Sequence, residues 1–269
     1  MRINFKNLTV QVLIAIVLGI IVGAAFPEFG ASLKILADIF IKLIKMLIAP
    51  IIFLTVVIGI GSMGDVKKVG KIGGKALIYF EIVSTFALAI GLLVVNIIQP
   101  GKGFNTDAAN AADVAQYTEQ AAAAEHGFGA FIMQIIPDNV VGALANGELL
   151  PVLFSAVLFG LAAAAIGEPA KPVIKFFEQV ADIFFKIVNM VMKISPIGAF
   201  GAMSYTIGNF GLKSLGNLGF LMLSVYLTMF LFIVVIIGLI TRYFGFNIFK
   251  FIKYIKDEMW SEIPVLVRV

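Results

Sequence analysis

The chain of 269 residues contains no cysteine and a single histidine, His126. The first absence excludes a disulfide framework, a thiol nucleophile and a Cys-ligated metal. One imidazole argues against a His-based zinc site or a catalytic triad. Charge is also scarce: 13% of residues are charged against 61% hydrophobic, with a mean hydropathy of +1.04. A water-soluble domain carries roughly 25% charged residues on average, so this composition predicts an all-α polytopic membrane protein. No GxxxxGK[ST], HExxH or GxSxG motif occurs. Gly-rich pieces such as "VGKIGGK" lack the strand–turn–helix setting that a phosphate cradle needs. Enzyme chemistry, a cofactor and a nucleic-acid partner therefore have no support in the residues.

What the chain does have is apolar length. Runs near 8–26, 35–63, 76–98, 127–166, 177–203 and 217–241 predict six membrane crossings. The first run follows Arg2 and Lys6 and resembles a signal peptide. It is longer than an h-region, however, and bulky Phe26 and Pro27 follow the alanines, so an uncleaved helix is expected. The second run would be about 43 Å long as a helix, against a hydrocarbon core of about 30 Å. It must tilt or kink, and Pro50 supplies a cause. The fourth run is broken by "PDNVVGALANGELLP", which membrane depth tolerates only where protein or a water cavity satisfies the backbone.

Lysines set the orientation. Lys67, Lys68, Lys71 and Lys75 stand between runs two and three, and Arg242, Lys250, Lys253 and Lys256 follow run six. The polar loop from Gly101 to Gly127 carries Asp107, Asp113, Glu119 and Glu125. Cytoplasmic placement of both termini puts every basic loop inside and the acidic loop outside, as the positive-inside rule requires. The pattern "NIFKFIKYIKDEM" opposes Ile248, Phe249, Ile252 and Ile255 to Lys250, Lys253 and Lys256, which predicts a helix at the cytoplasmic interface.

Three polar clusters fall within the runs. Asp38, Lys42 and Lys45 share a helix face, read as an ion pair with snorkelling near the outer interface. Glu178, Asp182, Lys186, Asn189 and Lys193 form a longer stripe of alternating acids and bases, read as structural pairing along one side of a helix. Glu81, Ser84 and Thr85 stand at i, i+3 and i+4 in "LIYFEIVSTFALAIGLL". Two readings are open for them. Carboxylate and hydroxyl oxygens are hard ligands for an alkali cation, and a membrane carboxylate can carry a proton. Alternatively, the hydroxyls bond backbone carbonyls within the helix, and Glu81 pairs with Lys75.

The stretches "LIKMLIAPIIFLTVVIGIGSM", "ALIYFEIVSTFALAIGLLVVNIIQPG", "MKISPIGAFGAMSYTIG" and "GFNIFKFIKYIKDE" resemble the dicarboxylate/amino acid:cation symporter family over about Phe5 to Glu258. The resemblance implies a glutamate-transporter-like elevator fold and a homotrimer in the bacterial inner membrane. It also implies uptake of C4-dicarboxylates such as succinate, fumarate and malate, coupled to Na⁺ or H⁺. Uptake of glutamate or aspartate is the alternative within the family, and a non-transporting membrane scaffold is the alternative outside it. By this likeness residues 1–75 and 127–216 supply scaffold spans. Residues 76–98 and 217–258 supply the third and sixth spans and the interfacial helix of a mobile transport domain, with 99–126 as an extracytoplasmic loop. The family's third span offers a Thr-Ser pair to a cation. The nearest matches are Val83-Ser84 and Ser84-Thr85, and Ser84 is common to both.

The family's substrate contacts lie in two re-entrant hairpins and two last spans, none of which is found within these residues. Residues 259–269 stand where the first, Ser-rich hairpin begins in the family. The codons of Pro-Val-Leu-Val-Arg-Val, read in a shifted frame, can spell Gly-Thr-Ser-Ser-Ser. Residues 264–269 are therefore expected to be hairpin sequence read out of frame, with a divergent or designed ending as the alternative.

Overall fold

Local signals in the chain punctuate its helices, and the computed structural model follows them. It describes residues 7–63, 66–102, 127–245, 250, 253 and 254, among which there is no strand. Helix α1 (Leu8–Ala25) begins where the Asn7 side chain accepts a hydrogen bond from the Thr9 amide at 3.0 Å, capping an otherwise unpaired donor. It stops at Phe26, because Pro27 opens α2 (Pro27–Ser32) at the one helical position that tolerates a missing N–H. Helix α3 (Lys34–Gly61) continues the same candidate span and carries Pro50 in its interior. Helix α4 (Val66–Ile98) ends at Gln99, whose φ of 48° is left-handed, just before Pro100.

The broken fourth run resolves into three helices. These are α5 (Gly127–Ile135), α6 (Val140–Asn146) and α7 (Leu149–Ile166). The Asn139 side chain caps α6, and Gly147 at φ 71° ends it. Gly167, at φ 74° and ψ −131°, then turns the chain through a short 3₁₀ segment (Glu168–Ala170) into α8 (Lys171–Met192). Helix α9 (Ser195–Phe210) follows after a bend of 49°. Helix α10 (Ser214–Leu231) passes through a π-helical stretch (Phe232–Ile237) into α11 (Gly238–Tyr243).

By length and composition α1, the α2–α3 pair, residues 73–98, α7 and residues 214–243 can each cross a bilayer. The bent α8–α9 pair counts as a sixth crossing if taken as one span. The six expected runs therefore all have helical counterparts. The fifth differs in form: the sequence suggests one crossing over 177–203, whereas the helix breaks at Lys193–Ile194, ahead of Pro196.

The chain divides into two compact units, one built from α1–α3 and α5–α9, the other from α4 after Gly73 with α10 and α11. In the first unit, glycine sets the packing. A methyl on Gly19 would lie 2.7 Å from the Phe200 carbonyl oxygen, and one on Gly23 would lie 2.6 Å from that of Ser204. The rising order of both pairs makes α1 and α9 parallel. On another side of α9, Gly198 meets Phe40 and Gly201 meets Leu36, so α9 runs antiparallel to α3. Small residues are what membrane helices use at such contacts, because lipid tails remove the usual apolar driving force and leave close packing to hold helices together.

The other half of α3 packs on α7 and α8. Val57, Ala156, Ala163, Ala170 and Ile174 form one buried cluster, and Ala49, Ala143 and Val152 form another. Phe177 lies 5.4 Å from Phe159 and 6.2 Å from Phe53, ring centre to ring centre. In the second unit the packed face of α4 carries Val83 and Val94, both buried, and a methyl on Gly91 would sit 3.8 Å from Thr228 Cγ2 on α10.

Candidate functional site

Helix α4 places Glu81, Ser84 and Thr85 on one face, as their spacing requires. That face is the open one. Leu77 and Leu88, on the same side, are 72% and 70% exposed, while the buried Val83 and Val94 point the other way. The hydroxyls use their protons inside the helix. Ser84 Oγ donates to the Glu81 carbonyl oxygen at 3.2 Å, and Thr85 Oγ1 donates to the same oxygen at 2.8 Å. Both oxygens keep lone pairs that can accept a cation. Glu81 and Lys75 form no ion pair among the described residues, so the carboxylate stands exposed on the same face as the hydroxyls.

The first unit gathers charge differently from the sequence expectation. Among the described residues Asp38 makes no ion pair with Lys42, and the α8 stripe from Glu178 to Lys193 forms none along its length. The pairing expected at both places is therefore not made among the described residues. Instead Lys171 Nζ meets Glu168 Oε1 at 2.6 Å, at the exposed start of α8.

Two further features carry no motif. A cavity of about 500 Å³ opens where α3 ends and α8 begins, lined by Ser62, Gly167, Glu168, Lys171, Lys175 and Glu178 among others. Its signal in the sequence is the "GEPAKPVIK" junction, which reads only as a loop. The second feature is the unsatisfied hydroxyl of Ser204, fully buried between α1, α2 and α9. The expectations for the interfacial helix over 248–256, for His126 and the outer loop, and for the tail 259–269 fall almost wholly outside the described residues. Of these positions Lys250, Lys253 and Tyr254 are helical.

This arrangement of long apolar helices can be set beside known proteins. Residues 8–261 match the model of the sodium:dicarboxylate symporter family. The chain is 52% identical over 255 residues to the C4-dicarboxylate transport protein of Bacillus subtilis, covering 95% of this chain and 60% of that protein. It is 56% identical over 257 residues to the protein of that name from Citrifermentans bemidjiense, covering 95% of this chain and 58% of the relative. For the Deinococcus radiodurans protein of that name the figures are 54% over 257 residues, with 95% and 58% covered. The chain thus spans about three fifths of the length of the curated relatives it matches. On both the family match and these identities, the chain is a multi-pass membrane protein that belongs to the sodium:dicarboxylate symporter family.

Proposed function

We propose that these residues form the N-terminal part of a secondary symporter that takes up C4-dicarboxylates with Na⁺ or H⁺ across the bacterial inner membrane. The observation that carries this reading is the identity above 50%, sustained over 95% of the chain, with proteins named for C4-dicarboxylate transport. In this reading the first unit is the stationary frame of a homotrimer, with both chain termini cytoplasmic. The second unit contributes α4 and α10 to the moving body. The division of the chain into those two units supports the assignment, because each takes its helices from separate stretches of sequence.

The reading also gives the open face of α4 a purpose. Glu81, Ser84 and Thr85 would coordinate or protonate there only when another segment covers them, since a lone face in lipid cannot hold an ion. The portion of the relatives beyond this chain is the natural cover, and the dicarboxylate contacts would lie in it.

The test joins residues 1–258 to the C-terminal remainder of the Bacillus subtilis relative and assays labelled succinate uptake in proteoliposomes. Uptake driven by a Na⁺ or H⁺ gradient is expected, and a polypeptide of these 269 residues alone is expected to give none. A chimera that inserts yet moves no dicarboxylate, or moves aspartate in its place, would overturn the substrate assignment. Succinate uptake by the 269 residues alone would overturn the division of labour.

A further inference from the structure

A second cavity of the first unit, about 480 Å³, is lined by Leu8 and Gln11 from the start of α1 and by Asn189, Met192 and Lys193 from the end of α8. We infer that it seats the phosphate headgroup of an anionic phospholipid.

Three observations lead there. The first is depth. Leu8 opens an apolar helix of 18 residues, which spans about 27 Å, close to the thickness of a hydrocarbon core. Its first turn therefore stands where acyl chains meet headgroups. The second is charge. Among the described residues Lys193 is the only ionisable group in the lining, and Asn189 adds an amide group able to donate to phosphate oxygens. Asp182 lies about 16 Å farther along α8. The cavity beside Gly61 makes the contrast: Glu168 and Glu178 there balance Lys171 and Lys175, so an anion gains little. The third is composition. Leu8 and Met192 give the cavity an apolar rim that suits the glycerol and first methylenes of a lipid and offers a free anion nothing. The positive end of α1 at Leu8 faces the same space and offsets the negative end of α8 at Met192. Basic pockets between helices at this level are where anionic headgroups bind. With the chain's N-terminus cytoplasmic, the lipid belongs to the inner leaflet.

Native mass spectrometry of the full chain, released from nanodiscs containing phosphatidylglycerol and phosphatidylcholine, reads the retained lipid. Phosphatidylglycerol retention is expected to exceed phosphatidylcholine retention. Lys193→Gln should weaken phosphatidylglycerol retention about fivefold, the effect of one basic side chain near a membrane surface. Lys193→Arg should preserve it, and Lys175→Gln, outside the cavity, should leave it unchanged. Asn189→Leu keeps the charge and should still weaken retention, which guards against a folding defect in one variant. Equal retention in wild type and Lys193→Gln, an equal loss in Lys175→Gln, or no preference for phosphatidylglycerol would each overturn the proposal. Displacement of the lipid by inorganic phosphate at matched concentration would reassign the cavity to a free anion and overturn it as well.

Discussion

Replacing Gly23 by alanine tests the packing of the first unit at one of its close backbone approaches. The new methyl would lie 2.6 Å from the Ser204 carbonyl oxygen, 2.9 Å from Ile207 Cβ and 3.1 Å from the Gly208 nitrogen. A relaxed carbon–oxygen contact needs about 3.3 Å, so α9 must retreat by roughly 0.7 Å. Two of these three atoms are backbone, and no side-chain rotation can relieve them. Overpacking of this kind costs about 1–3 kcal/mol, and a gap of 0.5–1 Å forfeits about a quarter to a half of each dispersion contact along the seam. A destabilisation of about 2–3 kcal/mol is expected, or roughly 30- to 150-fold in the unfolding equilibrium. Steric trapping in bicelles measures it. Gly59→Ala, with nothing within 4 Å, and Gly91→Ala, with its nearest neighbour at 3.8 Å, serve as controls. If Gly23→Ala fell within about 0.5 kcal/mol of Gly59→Ala, the close parallel approach of α1 and α9 would be refuted.

The same assay reads three other changes. Phe177→Ala removes ring contacts to Phe53, Phe159 and Phe176, each worth about 0.5–1.5 kcal/mol; a total loss below about 1 kcal/mol would contradict the cluster. Gly167→Ala meets open space but forces a side chain into φ 74°, ψ −131°, for an expected cost of about 1–3 kcal/mol. Glu168→Gln breaks the 2.6 Å pair with Lys171, but both side chains are more than two thirds exposed, so the change should stay below about 1 kcal/mol and vanish in high salt. In the chimeric transporter, Ser84→Ala should raise the cation concentration for half-maximal uptake by about tenfold, the loss of one oxygen ligand contact to a charged species. An unchanged cation dependence would remove Ser84 from the site.

The helices themselves were legible, because a bilayer demands long apolar runs and the chain supplies them. Asn7, Pro27, Gly147 and Gly167 mark ends that capping and turn chemistry explain. The break at Lys193 was less legible. "MKISPIGAF" holds a proline, but a proline at the second position of α9 is compatible with a helix that starts afresh or one that continues. Register was not legible at all. That Gly19 and Gly23 face Phe200 and Ser204 depends on which backbones approach, and a glycine in a run advertises room without naming its occupant. At the candidate cation site the spacing of Glu81, Ser84 and Thr85 fixed a common face correctly. Which side of α4 is packed shows only in the burial of Val83 and Val94, and a largely apolar helix gives no sign of that.

The carbonyl of Ser204 has one more consequence. Both Gly23 and Gly30 crowd it so closely that a methyl on either would sit within 2.8 Å, which brings their Cα–H groups into range of weak C–H···O bonding. Main-chain contacts of this kind have no rotamers to sample and no group to titrate. Sliding of the first, second or ninth helix along that seam therefore has to separate backbones, which no side-chain rearrangement can replace.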